Sequence, residues 1–386
     1  MGLPPDVAEV FDRGELTRIL LGLVQQPSEN PPGCEVGVAR LIEQLLEAEG
    51  IECALSLAAP GRPNVMASVT GTAPGPRTIY NGHMDVVPVG GGWTREPTGA
   101  IEGDRLYGRG AADMKGGVAA MLYAGILLKR MGSRFRGELL LFFNVDEERT
   151  NLGMTQFLRE SVDADFAVVG EPTSLDVCFG HRGCARYRLR TLGTPGHTAV
   201  TTEPDNAISK MTKLITALET AYAPMLRRRH DPVLGSASLV VSQIAGGSAP
   251  NIVPDRCEIE LDRRLLPGET REGARSELRG VLEQVAKREA FSFELDDYLF
   301  LPASTIDEDH ALVRDFRRAS SRHYPDVAIR TFNATCEAPF FSVDRGIPTV
   351  IYGPGALAQA HVPDEHVELH EVEMACRTYI DFLLDC

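Results

Sequence analysis

GRGAADMKGG, residues 108–117, has the glycine density of a phosphate-cradling loop but carries an aspartate at its centre, where such a loop wants only donors. A phosphate loop needs four residues between its glycines and then Lys and a hydroxyl residue, and the dinucleotide fingerprint needs G-x-G-x-x-G between a strand and a helix. Gly108, Gly110, Gly116 and Gly117 are wrongly spaced for both, and Lys115 is followed by Gly116 rather than Ser or Thr. The remaining reading makes Asp113 the functional group, with the glycines letting the backbone turn tightly around it.

Outward from this stretch, short apolar runs alternate with helix-like segments. RTIYN (77–81), ELLLFFNV (138–145), FAVV (166–169) and PTVIY (348–352) have strand character. Residues 36–48 and 114–130 read as helices, the first with Val38, Leu41, Ile42 and Leu45 on one face. The alternation predicts an α/β sheet. Each apolar run is followed by a loop rich in chemistry: Gly82-His83-Met84-Asp85, Asp146-Glu147-Glu148, Gly170-Glu171-Pro172, and Gly353-Pro354-Gly355 with His361 soon after. In open α/β sheets ligands gather outside the carboxyl ends of the strands, so these four loops are expected to converge on one crevice. Between about 182 and 293 the texture changes. Tyr187, Leu189, Thr191 and later Cys257, Ile259, Leu261 alternate as in strands with one exposed face, and residues 207–222 and 271–288 are helix-like, the pattern of a β-α-β-β-α-β insertion. The expected organisation is a catalytic domain, 1–181 and 294–386, interrupted by a smaller α+β domain, 182–293.

Composition bounds the partners. A chain of 386 residues exceeds one core of ordinary size, and a formal net charge of −15 argues against a nucleic-acid partner, which would need a basic surface. The run Arg227–His230 reads as a solvated face. The eight cysteines include no C-x-x-C pair, which points to reduced thiols and a cytoplasmic setting. The start, MGLPPDVAEV, lacks a basic region followed by an apolar stretch, and Asp6 stands where an acylation signal has Ser or Thr. No apolar run is read as reaching the roughly 18 residues of a membrane helix, so no membrane partner is expected.

Isolated histidines are usually core or surface residues, and His230, His310, His323, His366 and His370 are read so. His83 differs, because Asp85 two residues on could accept the second imidazole N–H and fix the metal-binding tautomer. Glu147 and Glu148 after a strongly apolar strand place adjacent carboxylates at a sheet edge, a costly crowding unless cations neutralise it. One carboxylate on a metal and one free to move protons is what metal-assisted hydrolysis needs. His83, Asp113, Glu148, Glu171 and His361 together offer two imidazoles and three carboxylates, a set suited to two metal ions bridged by one aspartate, with zinc favoured over magnesium.

GHMDVVP, GRGAADMKGG, FNVDEE, VGEPTS and AHVPDEHVE, in that order and over nearly the whole chain, resemble the family of di-zinc deacylases and exopeptidases. Its members include acetylornithine deacetylase, succinyl-diaminopimelate desuccinylase, aminoacylase and carboxypeptidase G. The resemblance implies a mixed-sheet zinc-exopeptidase-like catalytic domain with an inserted ferredoxin-like lid that also dimerises. His83 and Glu171 would hold one zinc, and Glu148 and His361 the other, with Asp113 between them; Co2+ or Mn2+ could substitute. Asp85 would orient His83, Glu147 would be the general base, and the Asp113–Met114 bond would be cis. In the insertion, GTPGHTA supplies His197 for the oxyanion. APNIVPD supplies Asn251 and LDRRLLPG supplies Arg264, preferred here as a carboxylate binder over a surface ion pair with Asp262. Arg182 and Gly353 complete the expected substrate contacts. WTREP, VGEPTSL and CEAPF lean toward N-acetyl amino acids as substrate, and Glu337 in the last could face a substrate ammonium or make a structural hydrogen bond. Arg182 keeps a desuccinylase open, with dipeptidase or carboxypeptidase activity as a third choice. A binding protein without catalysis would have lost Glu147 or a ligand, and a two-metal phosphoesterase would not need the lid motifs.

Overall fold

The four apolar runs are the four parallel strands at the centre of one mixed sheet. In the computed structural model, which describes residues 7–386 except 201 and 203, they lie in the order Arg136–Asn144, Ala73–His83, Phe166–Val169, Thr349–Ile351. The readings made of residues 1–6, including Asp6, lie outside the described residues. Strands Arg62–Thr70 and Cys53–Ala59 extend the sheet antiparallel on one side, and Val177–His181 pairs antiparallel on the other. Neighbouring residues of the central strands bury on opposite faces. Leu139, Leu141 and Phe143 join one core with helices Gly116–Arg130 and Leu369–Asp385, while Leu140 and Phe142 join a second core with Phe157 and Phe341. Burial on both faces is why these strands read as continuous apolar runs rather than as alternation.

Helix Gly116–Arg130 is buried from Gly116 to Leu128, as a helix apolar all round must be. With the turn before it, Ala111–Arg130 is long and apolar enough to cross a membrane, contrary to the expectation that no run reaches that length. Its small residues, four glycines and alanines among the first five of the helix, hide that length from a count of large apolar side chains. The stretch is buried inside the fold from Ala111 to Leu128.

Packing divides the described chain into two units, one running to Gly180 and resuming at Thr305–Cys386, the other His181–Ser304. The second has a four-stranded antiparallel sheet in the order Ser238–Gly246, Arg256–Leu265, Gly183–Leu192, Phe293–Leu301, with helices Ala207–Ala217 and Arg271–Arg288. This is a β-α-β-β-α-β arrangement. Tyr187, Leu189, Cys257, Ile259 and Leu261 form its core with Met211, Leu214, Leu278 and Leu282. The junction expected at 293/294 is corrected: strand Phe293–Leu301 pairs with Gly183–Leu192 along its whole length, so the unit continues to Ser304.

Candidate metal centre

Because the four central strands are parallel, their carboxyl ends share one edge of the sheet. His83 ends its strand, Glu147 and Glu148 follow Asn144 by three and four residues, and Glu171 follows Val169 by two. Asp113 comes from the turn Ala111–Lys115 that leads into the central helix, and its peptide bond to Met114 is cis. Two of the glycines in that stretch are required by space and backbone. Gly110 has φ +86, and a Cβ there would meet Val86 Cγ1 at 2.4 Å; a Cβ on Gly117 would lie 2.0 Å from the carbonyl oxygen of Gly170. The second contact seats the helix start against the Glu171 loop.

The donors converge. Asp113 Oδ1 is 3.1 Å from His83 Nε2, and its Oδ2 is 3.3 Å from His361 Nε2. His361 Nε2 is also 3.2 Å from Glu148 Oε1, and His83 Nε2 is 3.9 Å from Glu171 Oε1 and 4.0 Å from Glu147 Oε2. His83, Asp113 and Glu171 form one group able to hold a metal, and Asp113, Glu148 and His361 a second, with Asp113 common to both. The charges are far from balanced. Burial, with the neighbouring carboxylates added, lifts Glu147 and Glu171 well above the usual carboxylic range, and Glu148 and Glu337 are raised by burial too. Burial alone would lower His83, yet its bond to Asp113 and the charges of Glu147 and Glu171 hold it well above an ordinary imidazole. Bonds to Asp113 and Glu148 push His361 up to about 10. Asp113 alone is held low, by its bonds to the two histidines; a cluster that draws protons onto its glutamates and its imidazoles is short of positive charge, which bound cations would supply.

Asp85 serves the site in a different way from the one expected. The Nδ1–H of His83 donates to the main-chain carbonyl of Asp85 at 2.9 Å, with the carboxylate 3.7 Å away. That carboxylate instead accepts from the amides of Glu147 at 3.1 Å and Glu148 at 3.2 Å. The strand ends at His83, so the pleat no longer decides where the side chain two residues later points. The carbonyl still fixes the tautomer, leaving Nε2 for Asp113 and the metal group. Glu365 does comparable work beneath Asp113: its carboxylate accepts from the amides of Ala112 and Asp113 and pairs with Arg109. Glu337 is fully buried, with Oε1 accepting from Asn144 and Oε2 without a hydrogen-bond partner.

Gly353, expected as a substrate contact, is held within the fold. It is buried, its N–H donates to Thr173 Oγ1 and its carbonyl accepts from Leu175, and a Cβ there would meet Gly170 O at 2.5 Å. Close packing against the Gly170–Glu171 backbone requires a glycine there. In the second unit, a bridge between His197 and Ile252 brings the loops of His197 and Asn251 together, and both residues are exposed. Arg182 Nη1 donates to the carbonyl of Ser236. Arg264 makes the ion pair that had been set aside, with Nε 2.9 Å from Asp262 Oδ1.

The sequence pattern of Peptidase family M20/M25/M40 matches residues 79–385. The chain belongs to that family. It is similar to a protein named acetylornithine deacetylase of Aliivibrio fischeri, 31% identical over 337 residues and 86% of each chain. One of the same name from Yersinia pseudotuberculosis is 33% identical over 301 residues, 76% of this chain and 75% of that one. Among solved structures, an M20 family metallo-carboxypeptidase from Sulfolobus solfataricus superposes with a TM-score of 0.81 at 20% identity, over 97% of this chain and 99% of that one. A dinuclear metal-binding M20 peptidase from Bacillus subtilis gives 0.68 at 17% identity, over 97% and 98%. These structures share the fold. This M20 chain is a hydrolase of mixed α/β architecture with an α+β insertion. Asn30, Arg62, Glu365 and its partner Arg109 are among the polar residues around its centre that carry no signal in the sequence pattern.

Proposed function

We propose that this M20 hydrolase cleaves the amide bond of a small N-acyl amino acid, with N-acetylornithine as the first candidate, releasing a carboxylic acid and the free amino acid. The observation that carries the reading is Asp113, which presents one carboxylate oxygen to His83 and the other to His361. The donors fit two divalent cations, His83 and Glu171 on one, Glu148 and His361 on the other, and Asp113 on both. Two imidazoles favour zinc over magnesium, with Co2+ or Mn2+ able to substitute. The dinuclear B. subtilis relative supports the count. Bound metal supplies a Lewis acid and a water of lowered pKa.

The chain's own residues do the rest. Glu147, within 4.0 Å of His83 Nε2, takes the proton of the attacking water and returns it to the leaving amine. Asp85 keeps Glu147 and Glu148 in place through their amides. His197 receives the developing oxyanion, and Asn251 and Arg264 receive the α-carboxylate of the substrate, Arg264 exchanging Asp262 for it; Arg182 is the cation that a second, succinyl carboxylate would use. The planar fork of arginine suits that carboxylate. We place the protein in the cytoplasm as a homodimer formed through the insertion, the arrangement that the family resemblance implies. The names of the relatives support an acetyl over a succinyl group.

The test is a panel of N-acetyl, N-succinyl and N-formyl amino acids with the metal-loaded protein, the freed amine read with ninhydrin. Amine from N-acetylornithine is expected, and release from none of the panel rejects the reading. Glu147→Gln should keep its metal and lose roughly 100- to 10,000-fold in kcat.

A further inference from the structure

One buried amide nitrogen joins two carboxylates behind the centre. Asn30 Nδ2 donates to Asp85 Oδ2 and to Asp146 Oδ1, both at 2.9 Å, and all three residues are buried. The backbone of Asn30 is fixed in turn: its N–H donates to the carbonyl of Val86, and the Val86 N–H donates to Ser28. Asp146 also accepts from Arg62 Nη1 at 2.7 Å, and the rest of that guanidinium grips Glu35. The remaining Asp146 oxygen accepts from Thr150 and from the Leu152 amide. Asp146 has φ +72 and stands directly before Glu147 and Glu148, whose amides are held by Asp85. Of three buried carboxylates, Glu35 and Asp146 thus share one arginine, and the neutral amide of Asn30 supplies the donors that let Asp146 and Asp85 sit side by side.

We infer that Asn30, backed by Arg62, is a positioning residue: by clamping Asp85 to Asp146 it sets where Glu147 and Glu148 present their carboxylates. The inference rests on the roles given to those two glutamates above. Asparagine suits the place because one nitrogen carries two N–H bonds without charge. Alanine would leave two buried acceptors facing each other, and aspartate would add a further carboxylate to the group.

The experiment uses the full-length protein, wild type against Asn30→Ala, Asn30→Asp and Arg62→Gln, loaded with Co2+. The readouts are cobalt affinity in competition with a chelator, the visible spectrum of the cobalt protein, and kcat and KM on whichever substrate the panel identifies. In Asn30→Ala the more weakly held cobalt should bind about 10- to 100-fold less tightly, with an altered spectrum and kcat down by a similar factor. KM should move by less than about threefold, because the clamp touches no substrate. Asn30→Asp should lose more. Cobalt affinity, spectrum and kcat all like those of the wild type in Asn30→Ala overturn the inference. If the Asn30 variants do not fold, Arg62→Gln decides, and wild-type affinity and spectrum in it overturn the inference equally. Should the wild type release no amine from any substrate, the functional reading fails while the cobalt measurements still decide this one.

Discussion

On one face of the insertion's sheet Arg186, Arg188 and Arg190 stand across from Asp262, Glu260 and Glu258, each acid opposite its own base. At the strand ends of the larger unit, Glu147, Glu171 and Glu337 offer carboxylate oxygens within 4.8 Å of one another, buried or nearly so, and make no ion pair with an arginine or lysine among the described residues. The same residue types serve two ends. A ladder of neighbouring opposite charges on a wet surface is settled within the chain. A buried cluster of like charges is unsettled until something positive arrives, and folding tolerates it because the parallel sheet fixes the loops that carry it. Charge balance, more than charge count, separates the functional surface from the structural one.

The comparison breaks first at Asp113. Asp113→Ala removes a carboxylate whose two oxygens lie 3.1 Å from His83 and 3.3 Å from His361. Metal analysis should fall below one equivalent per chain, and turnover should vanish from the assay; two retained equivalents would show that Asp113 is not shared. In the unaltered protein, removing metal with a chelator and adding it back tests the same imbalance. Zinc at about 100 times its dissociation constant should stabilise the metal-free protein by about 2.7 kcal/mol in thermal unfolding. An unmoved transition would mean that the cluster settles its charges alone.

The next largest effect belongs to the insertion and sharpens the contrast. Arg263 is fully buried, but it is met by Glu269, Glu277, the hydroxyl of Tyr222 and the carbonyl of Ala274. This is a buried charge balanced inside the chain. Arg263→Ala should cost about 3–5 kcal/mol, measured by denaturant unfolding, because it empties a fully buried site and leaves Glu269 and Glu277 to share Arg229 alone among the described residues. A loss near zero would mean that those acids reach water easily, and the balance would carry no weight.

A smaller effect is expected where the larger unit is tightest. Gly117→Ala pushes a methyl group toward the Gly170 carbonyl, 2.0 Å from where the Cβ would sit. About 1–3 kcal/mol of stability should be lost, with weaker metal retention because the Glu171 loop must move. Retention and melting like the wild type would show that the loop has slack.

Much of this site was legible because chemistry followed directly on strong local signals. Apolar runs mark the strands, and the acids and histidines just beyond them fall at one edge as soon as the strands are parallel. The part that escaped depends on partners distant in sequence. Asn30 meets Asp85 and Asp146 across 55 and 116 positions, and Glu365 caps Asp113 across 252, with no periodicity to announce either. The spacing of His83 and Asp85 suggested the right pair and the wrong atom, since a strand that ends at His83 stops dictating side-chain direction. The far junction of the insertion was placed too early because strand Phe293–Leu301 finds its partner about a hundred residues back. The ion pair of Arg264 with Asp262 belongs to the same class of balanced surface charge as the ladder.

Arg188 gives the smallest effect and the most direct test of that class. Its guanidinium lies 3.0 Å from Glu260 and 5.4 Å from the ring centre of Tyr298, whose hydroxyl donates to the same Glu260. The side chain is 39% exposed, so solvent screens the pair. Arg188→Ala should therefore lower the unfolding free energy, read by denaturant unfolding, by no more than about 1 kcal/mol, and less at high salt. The loss should come partly from uncovering the tyrosine ring rather than from the ion pair. Arg188→Met keeps the stem over Tyr298 and separates the two contributions. If Arg188→Met lost as much as Arg188→Ala, and the loss reached that of Arg263→Ala, the exposed ladder would be as tightly coupled as the buried arginine, and burial would not be what distinguishes the two settings.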